Sequence, residues 1–299
     1  MTGFLARLRR KIALLERIDA RLIRMQEAIG RVEARQLRAL TSARLQDYEF
    51  QVHSQGGEDG ILQRLTEVVP VAHKLFVEFG VEDYTEANTR FLLASNGWAG
   101  LVIDGSPENV QRIVSDPLYW RRNLKAVPAF VTRENINDLL RQNGLSGEIG
   151  LLSVDIDGND YWVWEAIDAV LPAIVVAEYN WRFGAERRVT VPYDPAFVRG
   201  RAHHSMVYYG ASLAALEALG TRKGFDLVGC SSSGNNAFFV RRDLRPAVLP
   251  ALSAREAYIA GSFREARLPS GELAHLPPSE EIALLANLPL VEVPAAKAP

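Results

Sequence analysis

Between residues 75 and 241, seven short runs rich in Val, Ile, Leu and Phe alternate with stretches of helical character. They are Leu75–Phe79, Leu101–Asp104, Lys125–Val131, Gly150–Asp155, Ala173–Glu178, Phe225–Cys230 and Ala237–Arg241. Strand-length runs with helix-sized intervals need crossover connections, so the expected fold is α/β, a doubly wound, mostly parallel seven-stranded sheet. Only Ser231-Ser232-Ser233-Gly234-Asn235-Asn236 separates the last two runs, a hairpin-sized loop of turn formers. The final strand should therefore run antiparallel to its neighbour. Ser212 should cap a helix that reaches Leu219 and ends at Gly220. The 299 residues, 48% apolar and 23% charged, suffice for one such core plus an appendage. No run of about 18 uncharged apolar residues occurs, and Met1–Arg10 alternates Phe and Leu with Arg, which argues against a spanning or exported chain. A single cysteine, Cys230, excludes a disulfide framework or a cysteine-rich zinc site and points to the reducing cytoplasm.

The appendage is the front of the chain. From Phe4 to about Leu45 there is no proline, and Phe4, Leu8, Leu15, Ile18, Leu22, Met25, Ile29 and Val32 fall at heptad a and d positions, with Lys11 breaking one d site. One continuous coiled-coil-like helix, on the order of 60 Å long, is expected. Residues 1–46 carry 11 Lys/Arg against 4 Asp/Glu, so the front is about +7 and the remainder about −9. A narrow apolar seam calls for a partner, and a second copy is the favoured one, giving a homo-oligomer through residues 4–45. Arg7, Arg9, Arg10, Lys11, Arg17, Arg21 and Arg24 also suit an anionic membrane surface, a peripheral location at the inner face of the membrane, and a plain solvated face remains open. Nucleic acid is disfavoured by the lack of interleaved aromatics and by the acidic remainder. The chain divides as 1–47, the helix; 48–243, the sheet; and 244–299, a Pro/Ala-rich extension that wraps the body or frays.

In an open parallel sheet, ligands bind beyond the carboxyl ends of the strands. Acids cluster there. Glu78 sits just ahead of Gly80, and a glycine lets backbone turn closely around a ligand or simply makes a turn. Asp104 follows Gly80 by 24 residues, the separation at which nucleotide-binding sheets put a carboxylate for two ribose hydroxyls; the plain alternative is a turn with Gly105. Ser153-Val-Asp155-Ile-Asp157-Gly-Asn-Asp160 packs three carboxylates into six residues, of which Asp160 caps the following helix. Alternation along an extended segment turns Asp155 and Asp157 the same way, and neighbouring carboxylates repel unless one is protonated or a cation intervenes. Glu178 and Asn180 end the fifth run at the same edge, so Asp155, Asp157 and Glu178 are candidate ligands for Mg²⁺ or another divalent cation.

The connection from Trp181 to Tyr209 has the length of a functional lid. Arg182, Arg187 and Arg188 can clamp an anion, and Trp181, Tyr193 and Tyr208 offer faces to a sugar ring. His203 or His204 can take a proton from a hydroxyl near neutral pH, although a packing or surface role is the commoner one for either.

Lined up in order, these residues resemble the FkbM-type methyltransferases, S-adenosylmethionine-dependent enzymes that methylate hydroxyl oxygens of sugars and natural products. The resemblance covers roughly residues 50–242. Ser54-Gln55-Gly-Gly57-Glu58-Asp59 is similar to the family's opening segment, and Phe76-Val-Glu78-Phe-Gly80 through Asn88-Thr89 to Gly97-Trp98-Ala-Gly100-Leu-Val-Ile-Asp104 to its cofactor region. Ser153-Val-Asp155-Ile-Asp157-Gly158-Asn-Asp160 is similar to its Lys-Ile-Asp-Val-Glu-Gly-x-Glu, with Ser153 in place of Lys. The resemblance implies a Rossmann-like methyltransferase sheet and S-adenosylmethionine as cofactor. The resemblance implies that Glu78, Gly80 and Asp104 face that cofactor and that Asp155, Asp157 and Glu178 lie toward the acceptor; Gln55, Asp59 and Asp155 are further candidates for the cofactor. Asp157, His203 and His204 are then the catalytic candidates, and Trp181, Asn180, Arg182, Arg187, Arg188 and Tyr193 the candidates for holding a glycan or other sugar-containing acceptor. Two rival classes remain. Asp155-Ile-Asp157 also matches the metal–diphosphate clamp of a nucleotide-sugar glycosyltransferase, and the helix could serve a non-catalytic scaffold.

Overall fold

The computed structural model describes residues 2–263 and 265–295, and in its first helix nothing is said of the side chains of residues 2–6, 8 and 16. The seam residues Phe4 and Leu8, and the ends of the proposed 244–299 extension, therefore lie in part outside the described set. Eleven helices are described: α1 (Thr2–Leu37), α2 (Glu58–Val68), α3 (Arg90–Ser95), α4 (Pro107–Ser115), α5 (Pro117–Arg121), α6 (Ile136–Gln142), α7 (Asp160–Ala166), α8 (Arg199–Ala202), α9 (Leu213–Arg222), α10 (Ala254–Ala257) and α11 (Pro278–Leu285). The strands are β1 (Leu75–Phe79), β2 (Ala99–Asp104), β3 (Leu124–Pro128), β4 (Gly147–Val154), β5 (Val170–Glu178), β6 (Val189–Thr190), β7 (Phe225–Cys230), β8 (Asn236–Arg241) and β9 (Val291–Glu292).

Seven strands form one sheet in the order β3-β2-β1-β4-β5-β8-β7. The first five are parallel, and β8 lies antiparallel between β5 and β7. This is the doubly wound, Rossmann-like arrangement expected. The strands read as near-continuous apolar runs because helices cover both faces. One apolar layer gathers Val77, Ile103, Leu152, Val175 and Phe239 with Trp164 and Leu216; the other gathers Phe76, Val102, Leu151, Ile174 and Phe238 with Ile61 and Leu65.

Two expectations about elements are corrected. Helix α1 ends at Leu37, not near Leu45, because Ser42 and Tyr48 offer the backbone other partners. The Tyr48 hydroxyl donates to the Leu40 or Ser42 carbonyl at 2.9 or 3.0 Å, and Ser42 Oγ donates to Asp47 at 2.5 Å. Ser212 caps α9 as expected, its Oγ accepting from Ala215 N–H at 3.1 Å, but the helix continues through Gly220 to Arg222. Gly220 is small because a Cβ there would meet the Phe239 ring at 3.0 Å, and the terminator is Gly224 at φ +84°. Of the two alternatives for the stretch after residue 243, wrapping the body or fraying, the described part packs on the body. Leu249, Ala254 and Ala257 are buried against the sheet layers, β9 pairs with β6, and Ala266 and Leu285 join Phe183, Val189, Val191 and Val207 in a third apolar cluster. The long 181–209 connection is thus a packed cap shared with the tail. Among the described residues no helix is long and apolar enough to cross a membrane.

Candidate active site

The chain order of the sheet reverses between β1 and β4, so their carboxyl ends diverge and leave a crevice at that point. Gly80 lies in it at φ +68°, and a Cβ on it would stand 1.8 Å from the Asp155 carbonyl oxygen. Only glycine lets the chain leaving β1 pass flush against the end of β4. Two adjoining cavities open here and share Gly80, Glu82, Asp155 and Asp157. The larger, about 480 Å³, is also lined by Glu78, Glu178, Trp181, Arg199, Tyr209 and Glu265. The smaller, about 160 Å³, lies over β2 and β3 and has apolar walls from Ile103, Phe130, Val131, Ile156 and Phe197, with Asp104 at its lip.

Asp104 holds the loops around that slot. Its Oδ2 accepts from Glu82 N–H at 2.8 Å, and its Oδ1 accepts from Ser106 N–H at 2.8 Å and Asn109 Nδ2 at 3.1 Å. A carboxylate offers about four acceptor sites, so one remains for a ligand hydroxyl. Glu78 lines the larger cavity but its oxygens brace the following loop. Oε1 accepts from Asn88 N–H at 2.9 Å and Ser153 Oγ at 3.2 Å, and Oε2 from Thr89 N–H at 3.1 Å and Thr89 Oγ1 at 2.5 Å. Burial raises its pKa against the lowering effect of those donors.

The three acids singled out as ligands do converge: Asp155, Asp157 and Glu178 each offer an oxygen within 4.8 Å of the others. They do so by a route other than strand alternation. Strand β4 ends at Val154, and the chain turns through Asp157 at φ +55°. Asp160 is the first residue of α7, whose N-cap is Asn159; its carboxylate accepts from Ile156 N–H at 2.8 Å and Gly158 N–H at 2.9 Å and ties that turn down. Burial raises the Asp160 pKa to about 6. Asp155 and Glu178 are both pushed well above the usual carboxylate range, first by desolvation; repulsion from Asp157, Asp160 and Glu78 adds to this for Asp155, and repulsion from Asp155, Asp157 and Asp160 for Glu178. Glu178 Oε2 is buried without a hydrogen-bond partner among the described residues.

Two positions that sequence reasoning missed shape this charge. Arg199 donates to Asp157 Oδ1 at 2.6 Å, pairs with Glu265, and lies 3.9 Å over the Tyr209 ring. Burial works against its charge, but Tyr209, Glu265, Asp157 and Glu178 outweigh it and hold it protonated. Glu265 and Phe263 reach the cavity from the tail, and Asn235 and Asn236 from the β7–β8 hairpin. Gly234 and Gly261 make the crossing of hairpin and tail possible: a Cβ on Gly234 would lie 2.6 Å from Gly261 Cα, and one on Gly261 would lie 2.2 Å from Trp181 Cδ1.

Of the remaining expected residues, Gln55 and Trp181 line the larger cavity. Asp59 does not; its buried Oδ2 accepts from the N–H groups of Val52, His53 and Ser54 at 2.8, 2.6 and 2.8 Å, which makes it a brace for the 52–54 turn. Asn180 is fully buried, its Nδ2 donating to the Val207 and Tyr209 carbonyls at 2.8 and 3.1 Å. Arg182 is no anion clamp, because it is buried between Glu281, at 2.6 Å, and Glu265, at 3.0 Å. Arg187 and Arg188 are exposed and line neither cavity. Tyr193 also lies outside both, its hydroxyl on Glu134 and its ring 4.0 Å under the Arg133 guanidinium. His203 bonds Ser205 Oγ at 2.6 Å, its ring lies tilted 4.3 Å from that of His204, and neither histidine lines either of the two cavities. Burial and the neighbouring His204 lower the His203 pKa, so it is a poor cation as well as a distant base.

No protein-family model matches the chain, and no curated protein matches it. Among solved structures, it is similar at 14% identity to the N-terminal domain of EvdMO1 with SAH bound, over 61% of this chain and 79% of that one, with a TM-score of 0.39. It is similar at 9% identity to an S-adenosylmethionine-dependent methyltransferase from Clostridium acetobutylicum ATCC 824, over 61% and 89% of the two chains, with a TM-score of 0.39. A third likeness, at 11% identity, is to an O-methyltransferase family protein from Burkholderia thailandensis, over 62% and 58%, with a TM-score of 0.36.

Proposed function

We propose that the chain transfers a methyl group from S-adenosylmethionine to a hydroxyl oxygen of a sugar-like acceptor. The observation that carries this reading is the junction of an apolar slot, with one carboxylate at its lip, and an acid-lined cleft at the point where the sheet order reverses. The slot between Ile103, Phe130, Val131 and Ile156 suits a flat purine, and the open acceptor site of Asp104 suits a ribose hydroxyl. Asp155, common to both cavities, and Glu78 give a negative field suited to a sulfonium at the junction. The cofactor supplies a methyl group already activated by its positive sulfur.

The chain's own work is then positioning and proton removal. Trp181, Tyr209 and Phe263 bring aromatic surface to the cleft beside the amides of Gln55, Asn235 and Asn236, a mixture suited to a polyhydroxylated ring. With both histidines outside the cleft and Asp157 tied to Arg199, the hydroxyl proton goes to the Asp155–Glu178 pair, whose proton affinity burial and repulsion raise together. Incubation with methyl-labelled cofactor and a panel of hexose-bearing acceptors should yield a product heavier by one methyl group. Binding of the cofactor without transfer to any hydroxyl compound would remove the acceptor half of the proposal.

The convergence of Asp155, Asp157 and Glu178 favours one second reading, in which a divalent cation neutralises the trio and its members act as ligands instead of as a base. Turnover unchanged by a chelator supports the acid pair; turnover lost with the chelator and restored by Mg²⁺ supports the cation. A glycosyltransferase clamp is disfavoured because Asp157 is engaged by Arg199 and the slot at Asp104 would have no ligand. A scaffold without a ligand leaves Glu178 Oε2, unpartnered among the described residues, without a reason. The buried, unpaired Cys230, whose thiol pKa burial pushes up to about 12, suits the cytoplasm.

A further inference from the structure

Helix α1 carries an apolar seam that nothing among the described residues covers. Leu15, Ile18, Leu22, Met25, Ile29 and Val32 are between 44% and 64% exposed. The body uses a different face of the helix. Gly30 meets Val52 and Phe91, Gln26 Nε2 donates to the Val52 carbonyl at 2.6 Å, and Glu27 lies 3.6 Å from His53 Nε2. Glu27 and Gly30 occupy heptad f and b positions, roughly 150° round the helix from the a/d seam at 100° per residue, while Gln26 reaches the body from e, the flank beside the seam. From Leu15 to Val32 the seam is therefore free among the described residues and points away from the sheet. An isolated helix with such a stripe is marginal in water, so a partner is required.

Charge and side-chain shape choose the partner. Arg7 and Arg21 at g and Arg10, Arg17 and Arg24 at c make one flank basic, while Asp19 and Glu33 at e make the other acidic. Parallel neighbours set the basic g/c flank of one helix beside the e flank of the next, which carries Asp19 and Glu33, so the flanks attract as a whole although no single g–e pair (Arg7–Ile12, Leu14–Asp19, Arg21–Gln26, Ala28–Glu33) is an ion pair. Antiparallel neighbours set like flanks together, and a bilayer calls for basic rims on both sides. Leu at a (Leu15, Leu22) with Ile at d (Ile18) disfavours two strands, and Ile12 at e and Leu14 at g, 47% and 57% exposed, widen the stripe beyond what one partner covers. We propose that the chain assembles through α1 into a parallel bundle of three or four copies, with the sheet domains outside the bundle. This does not depend on the methyl-transfer reading.

Light scattering on the full chain tests it, together with single cysteines at the two ends of the seam. The only native cysteine is buried. The expected mass is three or four times that of one chain. Leu15→Cys alone and Ile29→Cys alone should each form a disulfide-linked species on mild oxidation, and Leu22→Glu should return the mass to that of one chain with the circular dichroism of the sheet domain unchanged. A mass of one or two chains for the unmodified protein would overturn the proposal, as would a single chain that sediments with phosphatidylglycerol vesicles. Cross-linking only when the Leu15→Cys and Ile29→Cys chains are mixed would overturn the parallel arrangement.

Discussion

At the scale of single residues, the site is held by groups whose chemistry is decided by their neighbours. Gly80 combines a left-handed backbone with a neighbour, the Asp155 carbonyl oxygen, that an added Cβ would meet at 1.8 Å. Gly80→Ala should therefore destabilise the fold by about 1–3 kcal/mol for the backbone and a further ~1–3 kcal/mol for the overlap, read as a shifted denaturant midpoint. Glu178 is the converse case, a buried acid with a partnerless oxygen and a pKa raised by desolvation and by Asp155. A raised acid pKa means that its favourable contribution is complete below the unfolded-state value and is lost as pH rises through the folded one. Glu178→Gln should thus be more stable than the parent at pH 8, by roughly 1–3 kcal/mol, and no more stable at acid pH. Thermal unfolding at both pH values checks the convergence. Equal gains at both would show that charge is not the cause.

At the scale of elements, the tail is the part whose role is largest relative to its visibility in sequence. It buries Leu249, Ala254, Ala257, Ala266 and Leu285 and brings Phe263 and Glu265 to the cleft. A chain cut after residue 243 should not fold to the parent stability, and Gly261→Ala, which sets a methyl group 2.2 Å from the Trp181 ring, should raise the acceptor KM about tenfold while sparing cofactor binding. Kinetics with each substrate varied in turn separate the two effects. The strands were legible because each is an apolar run of strand length, and Gly80, Asp104, Asp155 and Glu178 because a strand's end locates its last residues on the sheet edge. Arg199, Tyr209 and Glu265 were not, since loops with no periodic pattern bring them together across 66 residues between Arg199 and Glu265. Arg182 misled for a related reason. An arginine beside a tryptophan in a loop reads as an anion clamp until its acids, Glu265 and Glu281, arrive from the tail.

At the scale of the whole molecule, a long basic helix, a reversed-order sheet and a tail that closes the cleft divide the work. In the proposed assembly the helix gives its seam to other copies, while the sheet and tail form the two joined cavities. Removing residues 1–22 should leave cofactor binding unchanged and abolish assembly, measured by calorimetry and light scattering on the same sample. The central claim is that the slot at Asp104 holds the nucleoside of S-adenosylmethionine. Titration calorimetry with its demethylated product is the most direct measurement. The account predicts one site per chain, with affinity weakened about 10- to 100-fold in Asp104→Ala, the loss expected when a hydrogen bond to a charged group is removed. No heat of binding to the parent protein, or equal affinity in Asp104→Ala, would contradict it.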